Sequence, residues 1–103
     1  MKLEVNGATL AKNATGAELE RALEQQVNRN DAQFILAEDD MTYLQGCFNE
    51  GKGFYLEYQI EDTDRHYTTS RNFTLEEVKE IAIAYLRGDT SWRETYGWSK
   101  MEL

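Results

Sequence analysis

The apolar positions of this chain repeat with two different periods, and the changes of period predict where strands and helices lie. Residues 2–5 and 9–12 alternate between polar and apolar side chains on either side of Asn6-Gly7. An Asn-Gly dipeptide supplies the two positive-φ residues that a tight hairpin turn requires. The first predicted element is therefore a β-hairpin.

Helical spacing replaces this alternation in the next segment. Thr15 and Glu18 stand at the spacing of a capping box, in which each side chain accepts a hydrogen bond from the other residue's backbone N–H. These features predict a helix over Gly16–Asn28 with its charged residues in water. The apolar residues at helical spacing are Leu19, Ala22, Leu23 and Val27.

Four segments rich in aromatic and β-branched residues follow, separated by polar turns, and this spacing predicts an antiparallel meander of four strands. They cover residues 33–37, 42–48, 53–59 and 66–70. The third segment alternates strictly, as is typical of a sheet covered on one side only. Its apolar face carries Phe54, Leu56 and Tyr58. Its other face carries Tyr55, Glu57 and Gln59.

A second helix is predicted over Leu75–Leu86, where the local signals are strongest. Thr74 and Glu77 form another capping box, and Gly88 suits the left-handed position that ends a helix. The tail is predicted to fold back on the domain as a short helix or strand, because its aromatic area is too large to leave in water. Its aromatic residues are Trp92, Tyr96 and Trp98.

Together these elements predict one α+β domain over residues 1–103. We expect an antiparallel sheet of four to six strands with two helices packed on one face. A chain of 103 residues is close to the usual size of one domain, and its 41% hydrophobic residues suffice for one core.

The charged residues indicate what kind of partner the domain would meet. The chain has 19 Asp and Glu against 11 Lys and Arg, a formal net charge of −8. This surplus disfavours nucleic-acid binding, which needs a basic face to neutralise phosphates, and it suits a basic protein partner. The sequence has neither an apolar signal core nor a stretch long enough to span a membrane. We therefore expect a cytoplasmic protein, either a monomer or a homodimer, without membrane contact.

Few residue types in this chain serve catalysis or metal binding. Its one cysteine, Cys47, excludes an internal disulfide and is predicted to be a small buried side chain in a reducing compartment. Its one histidine, His66, follows Asp62 and Asp64. That position favours a solvated strand end beside an acidic turn, because no second His or Cys completes a zinc ligand set. We expect no catalytic residue, no metal and no cofactor, and hence a protein that is not an enzyme.

The candidate binding surface is centred on the acidic turns of the meander. Two turns at the same end of a sheet would form one negative patch that steers a cationic partner, with Tyr side chains as anchors. The alternative is that charged turns serve solubility alone. The predicted partner-binding residues are Glu38, Asp39, Asp40, Tyr55, Glu57, Asp62, Asp64 and Tyr67.

The order of elements from Phe54 to Trp98 resembles a known family. An aromatic strand and a polar strand precede a helix with spaced Ala residues, which ends in Tyr85-Leu86-Arg87-Gly88 before a Trp. This order is similar to the C-terminal half of the first-numbered family of immunity proteins of bacterial polymorphic toxin systems. The chain departs from that family in lacking a Pro after the helix and in its N-terminal hairpin.

The resemblance implies a cytoplasmic inhibitor that occludes the active site of a cognate toxin of the nuclease or deaminase type. Two alternatives stay open. One is a small housekeeping or regulatory protein that self-associates through a sheet edge or its aromatic tail. The other is an enzyme, which would need a pocket that gathers His66 with Asp64, Glu57 or a Tyr hydroxyl.

Overall fold

The computed structural model describes residues 1–27 and 32–101. In these two ranges the chain forms seven strands and three helices, an α+β arrangement. The strands are β1 (Lys2–Val5), β2 (Ala8–Ala11), β3 (Ala32–Ala37), β4 (Tyr43–Asn49), β5 (Gly53–Ile60), β6 (Asp62–Thr68) and β7 (Ser99–Lys100). The helices are α1 (Gly16–Gln26), α2 (Leu75–Leu86) and α3 (Trp92–Thr95). No helix of the described ranges is long and apolar enough to cross a membrane.

All neighbouring strands of the single sheet are antiparallel, in the order β2-β1-β3-β4-β5-β6-β7. The predicted hairpin and meander are confirmed as β1–β2 and β3–β6. The sheet of the described residues exceeds the predicted four to six strands because Ser99 and Lys100 pair with Thr68 and Tyr67. Neither Ser99 nor Lys100 belongs to an alternating pattern, so backbone pairing alone defines this last strand.

Both long helices cover the same face of the sheet, as predicted. Their apolar stripes and the inward residues of β1, β3, β4 and β5 form one core cluster. The opposite face of the sheet carries no helix among the described residues, and we call it the open face. The largest core side chains, each at most 1% exposed, include Phe34, Phe54, Phe73, Leu19, Leu23, Leu36, Leu44 and Leu56.

The predicted capping boxes set the starts of both long helices. Thr15 and Glu18 exchange side-chain and backbone hydrogen bonds at α1, and Thr74 and Glu77 do the same at α2. Gly88, at φ +81°, follows the end of α2 as predicted. The predicted last residue of the first helix, Asn28, lies outside the described residues.

The aromatic tail returns to the core, as its composition predicts. Trp92 and Trp98 each meet Tyr58 edge-on, with ring centroids 5.0 Å apart. Trp92 also donates its indole N–H to the carbonyl of Asp89 at 2.9 Å. The tail therefore supplies a third helix and the last strand, and it closes the core over β5 and β6.

Candidate functional site

A connected set of polar side chains lies on the open face across strands β4, β5 and β6. We call it the open-face network. Tyr43 donates to Gln59 Oε1 at 3.3 Å, and Gln45 donates to Glu57 Oε1 at 3.2 Å. The Tyr55 hydroxyl lies 2.5 Å from Thr68 Oγ1. The network consists of Tyr43, Gln45, Tyr55, Glu57, Gln59, His66 and Thr68.

The imidazole of His66 is the centre of this network. Its Nδ1 lies 3.0 Å from Gln59 Oε1, and its Nε2 bonds to Glu57 Oε1. The Gln59 amide has a fixed orientation, because its Nε2 donates to the carbonyl of Met41 at 2.9 Å. Both ring nitrogens of His66 therefore face acceptor oxygens within the protein, one on each neighbouring side chain.

The carboxylate of Glu57 is held in its charged form. Its burial works against ionisation, but hydrogen bonds from His66, Tyr55 and Gln45 together lower the pKa of Glu57 below its usual 4.5. The pKa of Tyr43 moves the other way, because burial and the nearby Glu57 charge both disfavour its phenolate. The network thus contains a charged carboxylate, Glu57, which is hydrogen-bonded to His66 and surrounded by further donors.

The sequence-based placement of His66 at a solvated strand end is wrong. The ring is 5% exposed and lies inside β6, under an edge-on contact with Tyr43. The error arose because β5 and β6 are joined by a single residue, Glu61, at φ +66°. Residues 62–64, taken as part of a turn that starts at Glu61, belong to the exposed start of β6 instead.

The two acidic turns do meet at one end of the sheet. The backbone N–H of Glu61 donates to Thr42 Oγ1 at 3.0 Å, and the Gln59–Met41 bond joins the same segments. We call this surface the acidic end, and its carboxylates all belong to exposed residues. They are Glu38, Asp39, Asp40, Glu61, Asp62 and Asp64.

Two acidic side chains of this end also hold the backbone. Asp39 Oδ1 accepts from the N–H groups of Met41 and Thr42, at 2.8 and 2.9 Å. Asp62 Oδ1 accepts from the N–H of Asp64 at 3.0 Å. The acidic end is therefore built by its own carboxylates, which fix both turns.

The predicted tyrosines separate onto two faces. Tyr55 lies on the open face beside Glu57, as predicted. Tyr67 does not, because it follows His66 in an alternating strand and so points to the helix-covered face. There it stacks on Tyr58, with ring centroids 4.9 Å apart. Tyr67 thus belongs to the packing of the core and not to the open-face surface.

The sequence-based analysis missed Tyr43, Gln45 and Gln59 as members of the site. The alternation of β5 already placed Gln59 beside Glu57, and pairing of Gln45 with Glu57 and Tyr43 with Gln59 follows from the register of β4. The register was the missing information, because it depends on which residues form the turn.

A shallow cavity of about 120 Å³ adjoins Glu57 on the open face. Gln45, Tyr55 and the half-buried Cys47 are among its lining residues, so Cys47 is less buried than predicted. Among the described residues no group of three or more His, Cys, Asp or Glu side chains is placed to hold a metal ion.

Acid is expected to destabilise the wild type more than a Glu57→Gln variant. The lowered pKa of Glu57 means that its stabilising contribution is complete above pH 4.5 and is lost as the pH falls through the lower pKa of the folded state. Urea unfolding between pH 3 and pH 7 measures this difference. Parallel stability profiles for the two proteins would contradict the proposed role of the carboxylate.

Comparisons with protein-family models, with curated proteins and with solved structures find no match to this chain.

Proposed function

We propose that this protein binds a basic protein through the acidic end and the adjoining open face, and that the partner is a toxin which it neutralises as an immunity protein. The observation that carries the proposal is the convergence of the two acidic turns, which concentrates six exposed carboxylates at one end of the sheet. Concentrated charge of one sign raises the association rate of an oppositely charged partner.

The open face would supply contact area to the interface, which the charged acidic end alone does not provide. Tyr43 and Tyr55 are half-buried there, held by hydrogen bonds to Gln59 and Thr68. Aromatic side chains fixed in this way lose little entropy on binding and are frequent anchors of interfaces. A toxin that acts on nucleic acid presents a basic active-site cleft, and the acidic end would take the place of the phosphates.

The His66 imidazole is not offered to a substrate, because both nitrogens are bonded within the protein and the ring is buried. This arrangement supports a structural role for the Glu57–His66 pair over general base catalysis, which needs a ring nitrogen within reach of the substrate. It therefore favours the binding function over the enzymatic alternative.

Charge reversal at the acidic end is expected to slow association with a basic partner about tenfold or more at low salt, because electrostatic steering contributes factors of about 10 to 1,000. The triple variant Glu38→Lys, Asp40→Lys and Asp64→Lys spares the two carboxylates that hold the turns, Asp39 and Asp62. The wild type and the variant serve as baits in pulldowns from the native organism at low and moderate salt. The association rate of the retained protein is then measured directly.

A matched control reverses three exposed acidic residues elsewhere, Glu20, Glu80 and Glu94, and so changes the net charge equally. We expect the wild type and this control to retain one basic protein, released as salt rises, and the acidic-end variant to lose it. The immunity role requires in addition that the retained protein is toxic when expressed alone and harmless when co-expressed with this chain. Equal retention by both variants would refute the proposed surface.

A further inference from the structure

A second cavity lies at the other edge of the sheet, between the β1–β2 hairpin and α1, and it shares no residue with the acidic end or the open-face network. Its volume is about 250 Å³. Val5, Ala8, Leu10 and Ala22 form apolar walls, and every side chain that lines it is uncharged. Leu10 is 56% exposed at this position. In a chain with 29% charged residues, this neutral groove suits a neutral ligand.

Gln26 is the buried polar residue among those that line this groove. It is 1% exposed, and neither its amide nitrogen nor its amide oxygen has a hydrogen-bond partner among the described residues. Buried polar groups in folded proteins are nearly always paired, so an unpaired donor and acceptor on one side chain require an explanation. A single amide group that presents a donor and an acceptor side by side would satisfy both atoms.

We propose that this groove is a binding site for a small neutral compound that carries an aliphatic group and an amide. The aliphatic part lies against Val5, Leu10 and Ala22. The amide pairs with the Gln26 side chain, which turns toward the groove to meet it. The ligand then forms hydrogen bonds with both amide atoms of Gln26, and burial of the ligand's aliphatic part adds to the affinity.

Pentanamide tests the proposal by NMR titration of the isotope-labelled protein. We expect saturable shifts of the Val5, Leu10 and Ala22 methyl signals and of the Gln26 side-chain NH₂ signals. N,N-dimethylpentanamide keeps the chain and the acceptor but has no N–H to donate. Its affinity is expected to be lower by a factor of about ten or more, because the buried amide oxygen of Gln26 is left without a donor. Absence of saturable shifts up to the solubility of pentanamide overturns the proposal.

The variant Gln26→Leu keeps the side-chain volume and removes the amide. We expect it to fold with an equal or higher Tm and to lose at least about tenfold in affinity for pentanamide. Glu20→Gln, on the exposed side of α1, is the control and retains wild-type affinity. If Gln26→Leu does not fold, Gln26→Met replaces it. Unchanged affinity in the folded Gln26 variant overturns the assignment.

An extended peptide also presents a donor and an acceptor side by side, namely the N–H and the C=O of one residue, and β2 is an edge strand of the described sheet. The blocked peptide acetyl-Val-Ala-Val-N-methylamide therefore forms the second arm of the titration. If the peptide binds more tightly than pentanamide and slows hydrogen exchange of the β2 amides, the natural ligand is a peptide segment. Weaker binding supports the small neutral compound, whereas tighter binding of the peptide overturns that assignment of the ligand.

Discussion

Replacing Gly53 with Ala is expected to lower the free energy of unfolding by about 2–5 kcal/mol, from about 1–2 kcal/mol of backbone strain and about 1–3 kcal/mol of overpacking. Gly53 has φ +98°, and a Cβ built there lies 2.5 Å from the carbonyl oxygen of Phe73. That oxygen accepts from the N–H of Phe54 at 2.8 Å, within the bridge that joins β5 to the start of α2. The methyl group would therefore open this bridge.

Gly51→Ala separates the two causes. Gly51 has a similar φ of +82°, but a Cβ there meets no atom within 4 Å. Its replacement should cost only the backbone strain, about 1–2 kcal/mol. Urea unfolding of the two variants gives the comparison. Equal losses of stability in both would show that the approach of Phe73 to Gly53 is not a source of destabilisation.

The contrast between these two glycines shows what the sequence can and cannot predict. Gly51 lies in the polar turn between β4 and β5, Gly53 is the first residue of β5, and the sequence identified both the turn and the start of the strand correctly. The bridge from Phe54 to Phe73 joins residues far apart in the chain, and no local pattern marks it. The same is true of Gly46, whose Cβ would lie 2.6 Å from Leu56 Cδ2 in the core.

Local chemistry accounts for the elements that were predicted correctly. The capping boxes, the Asn-Gly turn and the alternation along β5 are each satisfied by residues within a few positions of one another. The burial of His66 depends instead on Glu57 and Gln59 in the neighbouring strand, and on the one-residue connection at Glu61. Acidic residues before a histidine predict a turn when read locally, whereas in the structure β6 already begins at Asp62, which pairs with Ile60, and its register shifts before His66 pairs with Gln59.

The candidate site likewise has one part that the sequence indicates and one part that it does not. The acidic end follows from charge and from the antiparallel order of the strands, both of which the sequence indicates. The open-face network follows from cross-strand register, which the sequence does not show. Tyr67 was assigned to the wrong face because the predicted strand began at His66 and its phase against β5 was not known.

Replacing His66 with Leu is expected to be the second large effect, a loss of about 2–3 kcal/mol in the free energy of unfolding. Removing the hydrogen-bond partner of a buried polar group costs about 1–3 kcal/mol, and more when that group is charged, because it is left unsatisfied. The Glu57 side chain is 16% exposed, so water would solvate it in part, and we place the expected loss within that range. Urea unfolding at pH 7 measures it.

The double variant His66→Leu, Glu57→Leu distinguishes a lost polar interaction from a lost packing contact. Replacing both partners of a buried polar interaction by well-packed apolar residues is often neutral or stabilising. We therefore expect the double variant to be more stable than His66→Leu alone, with a coupling energy of about 1–3 kcal/mol between the two sites. Additive losses from the two single variants would show that the pair contributes packing alone.

The same Leu variants can also be compared by hydrogen exchange at the acidic end, because Gln59 links His66 to the carbonyl of Met41. In both Leu variants Gln59 Oε1 loses its donor from His66, while its Nε2 still bonds to Met41. If the imidazole positions the turn through Gln59, hydrogen exchange at Met41 and Thr42 quickens in both variants, including the double variant whose stability recovers. If hydrogen exchange instead follows the global stability of each variant, the open-face network stabilises the sheet without positioning the acidic end. The proposed binding surface must then keep its shape through the hydrogen bonds of Asp39 with the backbone of Met41 and Thr42.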